Sequence, residues 1–197
     1  MGEIRAANPV ELQFNRLASE KLYELSREIK TEEFWEKSPE YRFYRYNKMY
    51  SLYTEITNYK PLNSFIKEFF ILNENDAIKI QGELYQFIRN LFAHFPYFDT
   101  WDEVWISKEF ASWNDATKKR TIHQFLEKYV GHEPLKYRFN FNESDDYKEV
   151  TLNFHQTYND TDRIYLKDLI NEKDGVFLSI VGMNTILREL VKQPISE

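Results

Sequence analysis

Across 197 residues, 32 Asp and Glu oppose 26 Lys and Arg, for a net charge of −6. Hydrophobic residues at 42% and aromatics at 17% exceed what a disordered chain carries and suffice for a sizeable core, while the acidic balance excludes a general nucleic-acid coat. Zero Cys excludes disulfides, thiolate zinc sites and cysteine nucleophiles, and with no membrane-length apolar run and no basic-then-apolar leader the expected location is cytoplasmic.

Asn8-Pro9-Val10-Glu11 is a helix start, with an Asn cap, Pro at the first helical position and Glu three residues after the cap. Phe14, Leu17, Leu22, Leu25 and Ile29 continue it as an apolar stripe of helical period. Ser38-Pro39-Glu40 opens a second helix, which runs to about Tyr59 before Pro61, and a shorter helix is predicted over Leu62 to Leu72. Asn75 or Asp76 caps the next, which buries Ile80, Leu84, Phe87, Ile88 and Leu91 and stops before Pro96. Thr100-Trp101-Asp102-Glu103 has the letters of a capping box and predicts a helix from Trp101 to Trp113. Asn114 or Asp115 caps a further helix with Ile122, Phe125, Leu126 and Tyr129 inward and Gly131 at its end.

Beyond Gly131 the period changes from helical to alternating. Tyr137 to Phe141 and Val150 to Phe154 alternate around the turn cluster Asn142 to Asp146, which predicts a β-hairpin. Arg163 to Leu166 adds a short third strand, and Val176 to Val191 a closing helix. The expected fold is mainly α: a helical bundle over residues 1–131, with a β-hairpin and closing helix over 132–197 packed on the same domain.

Four His are present, none at the spacing of a helical metal pair, so no metal ligands are assigned. With five Gly, no phosphate loop or dinucleotide fingerprint can be written, and no cofactor is expected. The constellation that carries chemistry is Arg89-Asn90-Leu91-Phe92-Ala93-His94 at a helix end, followed by Phe95-Pro96-Tyr97. Cleavage of RNA by its own 2′-hydroxyl needs a base, an acid and positive charge on the phosphorane. His94 serves as acid or base near neutral pH, Arg89 suits the phosphate oxygens, and Asn90 orients a partner or donates to phosphate. One chain offers a single His for two proton transfers, so the chemistry predicts a homodimer. Asn90 and His94 share a helix face, whereas Arg89 and His94 diverge by about 140°. They meet if the helix loosens before Pro96 or if Arg89 reaches the partner chain. Glu83, on the His94 face but more than two turns away, is expected to steady the helix or pair with a partner Arg.

Arg-Asn-x-x-x-His at a helix end, inside an all-helical bundle, resembles the HEPN superfamily. The resemblance covers some nine residues and implies a metal-independent endoribonuclease acting on RNA as a dimer, in toxin–antitoxin or antiphage-defence systems. It makes Arg89 the phosphate-stabilising residue, His94 the acid/base and Asn90 their polar partner. Tyr97 matches an extension seen in toxins paired with nucleotidyltransferase antitoxins, where the Tyr is the target of inhibitory adenylylation. The β-hairpin departs from a minimal bundle of this kind. The competing reading is a non-catalytic helical interaction or sensor module, with His94 serving only the helix macrodipole and Arg89 covering apolar surface with its stem.

Between Tyr41 and Tyr50, aromatics interleave with basic residues. Arg42, Arg45 and Lys48 recur at i, i+3, i+6 as a basic stripe for an RNA backbone, with Tyr44 placed to stack on a base. An amphipathic helix with Phe43, Tyr46, Tyr50 and Tyr53 facing the core accounts for the same pattern. Lys118-Lys119-Arg120 is a second basic run, either an RNA patch or a solvated face.

Overall fold

The structure, a computed structural model, describes residues 9–58, 76–95, 97–109, 121–140 and 147–191. The predicted helix over Leu62 to Leu72, the Asn8, Asn75, Asn114 and Asp115 caps, the Lys118-Lys119-Arg120 run and the Asn142 to Asp146 turn lie outside these residues. Helix α1 (Pro9–Ile29) buries Ala18, Leu22, Leu25 and Ile29. Phe14 and Leu17, expected on that stripe, are exposed: Leu17 stands about 100° around the helix from Ala18, and Phe14 lies a turn before the first buried position.

A short helix, α2 (Glu32–Trp35), interrupts the stretch between the two predicted helices. Thr31 Oγ1 caps it by accepting from the Phe34 N–H at 3.2 Å, and the Trp35 Nε1–H donates to the Ile29 carbonyl at 2.9 Å. Helices α3 (Pro39–Asn58) and α4 (Asp76–His94) follow. They pack antiparallel through an aromatic ladder: Phe43 meets Phe92 at 5.0 Å between ring centroids, Tyr50 stacks on Tyr85 at 5.4 Å, and Tyr53 meets Tyr85 edge-on at 5.0 Å. Each such pair contributes roughly 0.5–1.5 kcal/mol beyond its area burial.

The helix expected from Trp101 to Trp113 is replaced at its start by a 3-10 turn, Trp101–Glu103, and a two-residue strand, β1 (Trp105–Ile106). Thr100 makes no side-chain cap. The tertiary demand of Trp101 overrides the capping letters: its ring is 1% exposed and its Nε1–H donates to the Ile170 carbonyl at 3.1 Å. Helix α5 (Thr121–Tyr129) packs on α4 and ends as expected at Gly131, whose φ of 75° suits a residue without Cβ.

Strands β2 (Leu135–Asn140) and β3 (Tyr147–Leu152) form the hairpin, with Leu135 opposite Leu152 and Asn140 opposite Tyr147. Both strands begin earlier than predicted. This register directs Leu135, Tyr137 and Phe139 toward the core, and a slip of one residue would turn them to solvent. The third strand, β4 (Ile164–Tyr165), pairs antiparallel with β1 rather than with the hairpin. Helix α6 (Leu166–Leu169) leads to α7 (Glu172–Val191), which starts four residues before the expected Val176. Asn171 explains the early start: as an N-cap its Oδ1 accepts from the Asp174 N–H at 2.9 Å, and its Nδ2 donates to the Asp174 carboxylate at 2.6 Å. No described helix is long and apolar enough to cross a membrane.

Glu28 joins α1 to α3, accepting from the Arg45 guanidinium and from the Tyr41 hydroxyl. The Arg45 hydrogen bond holds its carboxyl below the usual range. A folded-state pKa below the unfolded one adds stability above the ordinary carboxylate pKa, and that stability is lost as pH falls through the folded value. Glu28→Gln is therefore expected to shrink the fall in thermal midpoint between neutral pH and about pH 3, measured by circular dichroism. An acid sensitivity equal to that of the parent chain would remove Glu28 from this role.

Candidate functional site

The motif sits where α4 leaves the bundle. Leu84, Phe87, Ile88, Leu91 and Phe92 face the core, which fixes where the polar residues between them point. His94 is the last helical residue and is exposed. The helix does not loosen there: the Phe95 N–H donates to the Leu91 carbonyl at 3.0 Å. One of the two routes by which Arg89 could meet His94 is thereby closed. On this regular helix they stand about 140° apart and roughly 7.5 Å along the axis.

Arg89 points toward α3. Its Nε–H donates to Thr54 Oγ1 at 3.1 Å, and its Nη1 donates to Asn90 Oδ1 at 2.7 Å. Asn90, 6% exposed, is thus the orienting partner of Arg89, held between the helices although its backbone position shares the His94 face. Beside it, burial pushes the Tyr85 phenol well above its ordinary pKa, against the opposing effects of the Thr54 hydroxyl and the Arg89 charge.

No carboxylate of the described residues pairs with Arg89, which sets it apart from its half-buried neighbours on α3. Arg42 donates to both oxygens of Glu172, at 3.0 and 2.8 Å, and lies 5.9 Å from the Trp35 ring centroid. Arg45 is paired with Glu28. The basic stripe predicted for an RNA backbone is therefore neutralised at two of its three positions, because Arg42 and Arg45 flank the buried face where α7 and α1 bring acids against them. Lys48 and Tyr44 remain exposed on α3.

Glu83 is consumed in the same way, accepting from Lys128 Nζ at 2.7 Å and from the Tyr129 hydroxyl at 2.6 Å; it ties α4 to α5. Tyr97 is 55% exposed, with its ring 4.7 Å from that of Phe98, and partial burial raises its phenol pKa. Its hydroxyl is accordingly protonated at neutral pH. Among the described residues, no group of three or more His, Asp or Glu is arranged to hold a metal ion.

Sequence reasoning missed Thr54. Its only signal was position: it lies one turn beyond Tyr50 on the α3 face that meets α4. Comparison with protein families, with curated proteins and with solved structures returned no match.

Proposed function

We propose that the chain is a metal-independent endoribonuclease that acts as a homodimer, in the manner of HEPN toxins and antiphage-defence effectors. The observation that carries this reading is the Arg89 guanidinium, half-buried and fixed by two neutral acceptors, with no carboxylate against it among the described residues. Such a cation is arranged to receive an anion, and it lies on the helix that ends in the exposed His94. In the proposed reaction, His94 of one copy removes the proton from the ribose 2′-hydroxyl, whose oxygen attacks phosphorus. His94 of the second copy protonates the departing 5′-oxygen, leaving a 2′,3′-cyclic phosphate. Arg89 stabilises the charge on the phosphorane, held in place by Asn90. Lys48 and Tyr44 supply backbone and base contacts, and a nucleotidyltransferase-type antitoxin would find the Tyr97 hydroxyl accessible.

The full chain is expected to be a dimer by analytical ultracentrifugation and to cleave single-stranded RNA in excess EDTA, with cyclic phosphate ends by mass spectrometry. A monomer, or loss of cleavage on chelation, overturns the proposal. The separation of Arg89 from His94 within one chain favours a second reading, a non-catalytic interaction or sensor module. That module would assemble without cutting RNA.

A further inference from the structure

The pairing of Thr54 with Arg89 is directional. The Thr54 hydroxyl donates its proton to the Tyr50 carbonyl one turn earlier, at 2.8 Å, so toward Arg89 its oxygen presents lone pairs. The Arg89 Nε–H takes one of them at 3.1 Å. Asn90 Oδ1 takes an Nη1 hydrogen at 2.7 Å. These bonds use two of the five guanidinium N–H donors; of the other three, one on Nη1 and both on Nη2, none has a partner among the described residues. Neutral oxygens thus hold the Nε–H and one Nη1 hydrogen, and no described residue occupies Nη2.

Both clamps are set by the fold. Tyr50 is fully packed in the aromatic ladder, its ring stacked on Tyr85 at 5.4 Å, which fixes the carbonyl that fixes the Thr54 rotor. Asn90 is buried beside Leu91. A guanidinium held at two points loses less rotamer freedom when an oxyanion binds than a free side chain does. Its charge is also undiminished, because neither clamp is an acid.

We propose that Thr54 is a positioning residue for Arg89, orienting the guanidinium so that its Nη end, rather than its Nε edge, meets a phosphate oxygen. This rests on the ribonuclease reading for the identity of the phosphate as RNA, but the orientation itself does not. Thr54→Val removes the acceptor at nearly constant shape, and Thr54→Ser restores it.

Two measurements on the full chain separate the possibilities. In proton–nitrogen correlation spectra, the Arg89 Nε–H is expected to exchange slowly in the parent and in Thr54→Ser, and to exchange fast or vanish in Thr54→Val. In RNA cleavage, Thr54→Val is expected to lose up to about 100-fold in kcat with KM little changed, and Thr54→Ser to recover most of it. An unchanged Nε–H in Thr54→Val overturns the proposal, as does an equal loss of cleavage in both variants, which marks a packing role. If the parent cuts no RNA, the ribonuclease reading fails. The Nε–H signal then decides the Thr54 assignment alone: loss in Val with retention in Ser supports it, and any other pattern overturns it.

Discussion

Replacing His94 by Ala is expected to lower RNA cleavage by about 10²–10⁴-fold, the usual contribution of a general acid or base, with helical content and dimer mass unchanged. The two halves of that expectation have separate causes. His94 is exposed at the last position of α4, and losing a basic side chain at a helix C-terminus costs about 1 kcal/mol at most in an exposed setting. Chemistry, by contrast, loses both proton transfers if two copies each contribute one imidazole. Arg89→Ala is expected to abolish cleavage as well, and Arg89→Lys not to rescue it, since an ammonium cannot span Thr54, Asn90 and a phosphate at once. Undiminished cleavage by His94→Ala would sink the assignment. Growth arrest on expression in a bacterial host, relieved by His94→Ala, would speak for the nuclease and against the interaction module.

The largest structural effect is expected at Trp101. Its ring is fully buried, meets Tyr46 and Phe92 edge-on at 5.9 and 6.1 Å, and donates to the Ile170 carbonyl. Trp101→Ala should cost about 3–5 kcal/mol, a large part of the roughly 5–15 kcal/mol that holds a typical domain together. Gly175 is the complementary test. In a helix interior, Gly to Ala ordinarily gains about 1 kcal/mol. Here a Cβ at residue 175 would stand 2.6 Å from Trp101 Cη2 and 2.8 Å from Cζ2, so the sign should reverse, with a loss of about 1–3 kcal/mol from overpacking. Urea denaturation reads both. A Gly175→Ala chain more stable than its parent would show that α7 does not press on Trp101 as described.

The helices were legible because their signals are local. Pro9 and Pro39 mark helix starts within the described residues, and the buried faces of α3, α4 and α5 follow from residue spacing alone. What could not be read depends on residues far apart in the chain. Trp101 to Glu103 carries the letters of a helix cap, yet Ile170 and β4, some sixty residues on, decide its conformation. The hairpin alternates as expected, but its register belongs to the pair of strands and the core beneath them, not to either strand alone. Arg42 and Arg45 had the spacing of a nucleic-acid stripe, and only the fold reveals Glu172 and Glu28 beside them. At the candidate site the angle between Arg89 and His94 follows from spacing alone, since helical geometry is arithmetic. It could not give Thr54, which lies thirty-five residues from Arg89.

The two-residue ladder between β1 and β4 bears on the order in which the chain assembles. It joins Ile106 to Ile164, and Leu166 extends the tie by donating to the Val104 carbonyl at 2.9 Å. So few bonds cannot offset the entropy of closing a long stretch of unstructured chain. That closure becomes favourable only after α5 and the hairpin have shortened the distance to be spanned. The seam at Trp105 and Tyr165 is therefore expected to be a late event in folding, closing after the helices already hold each other.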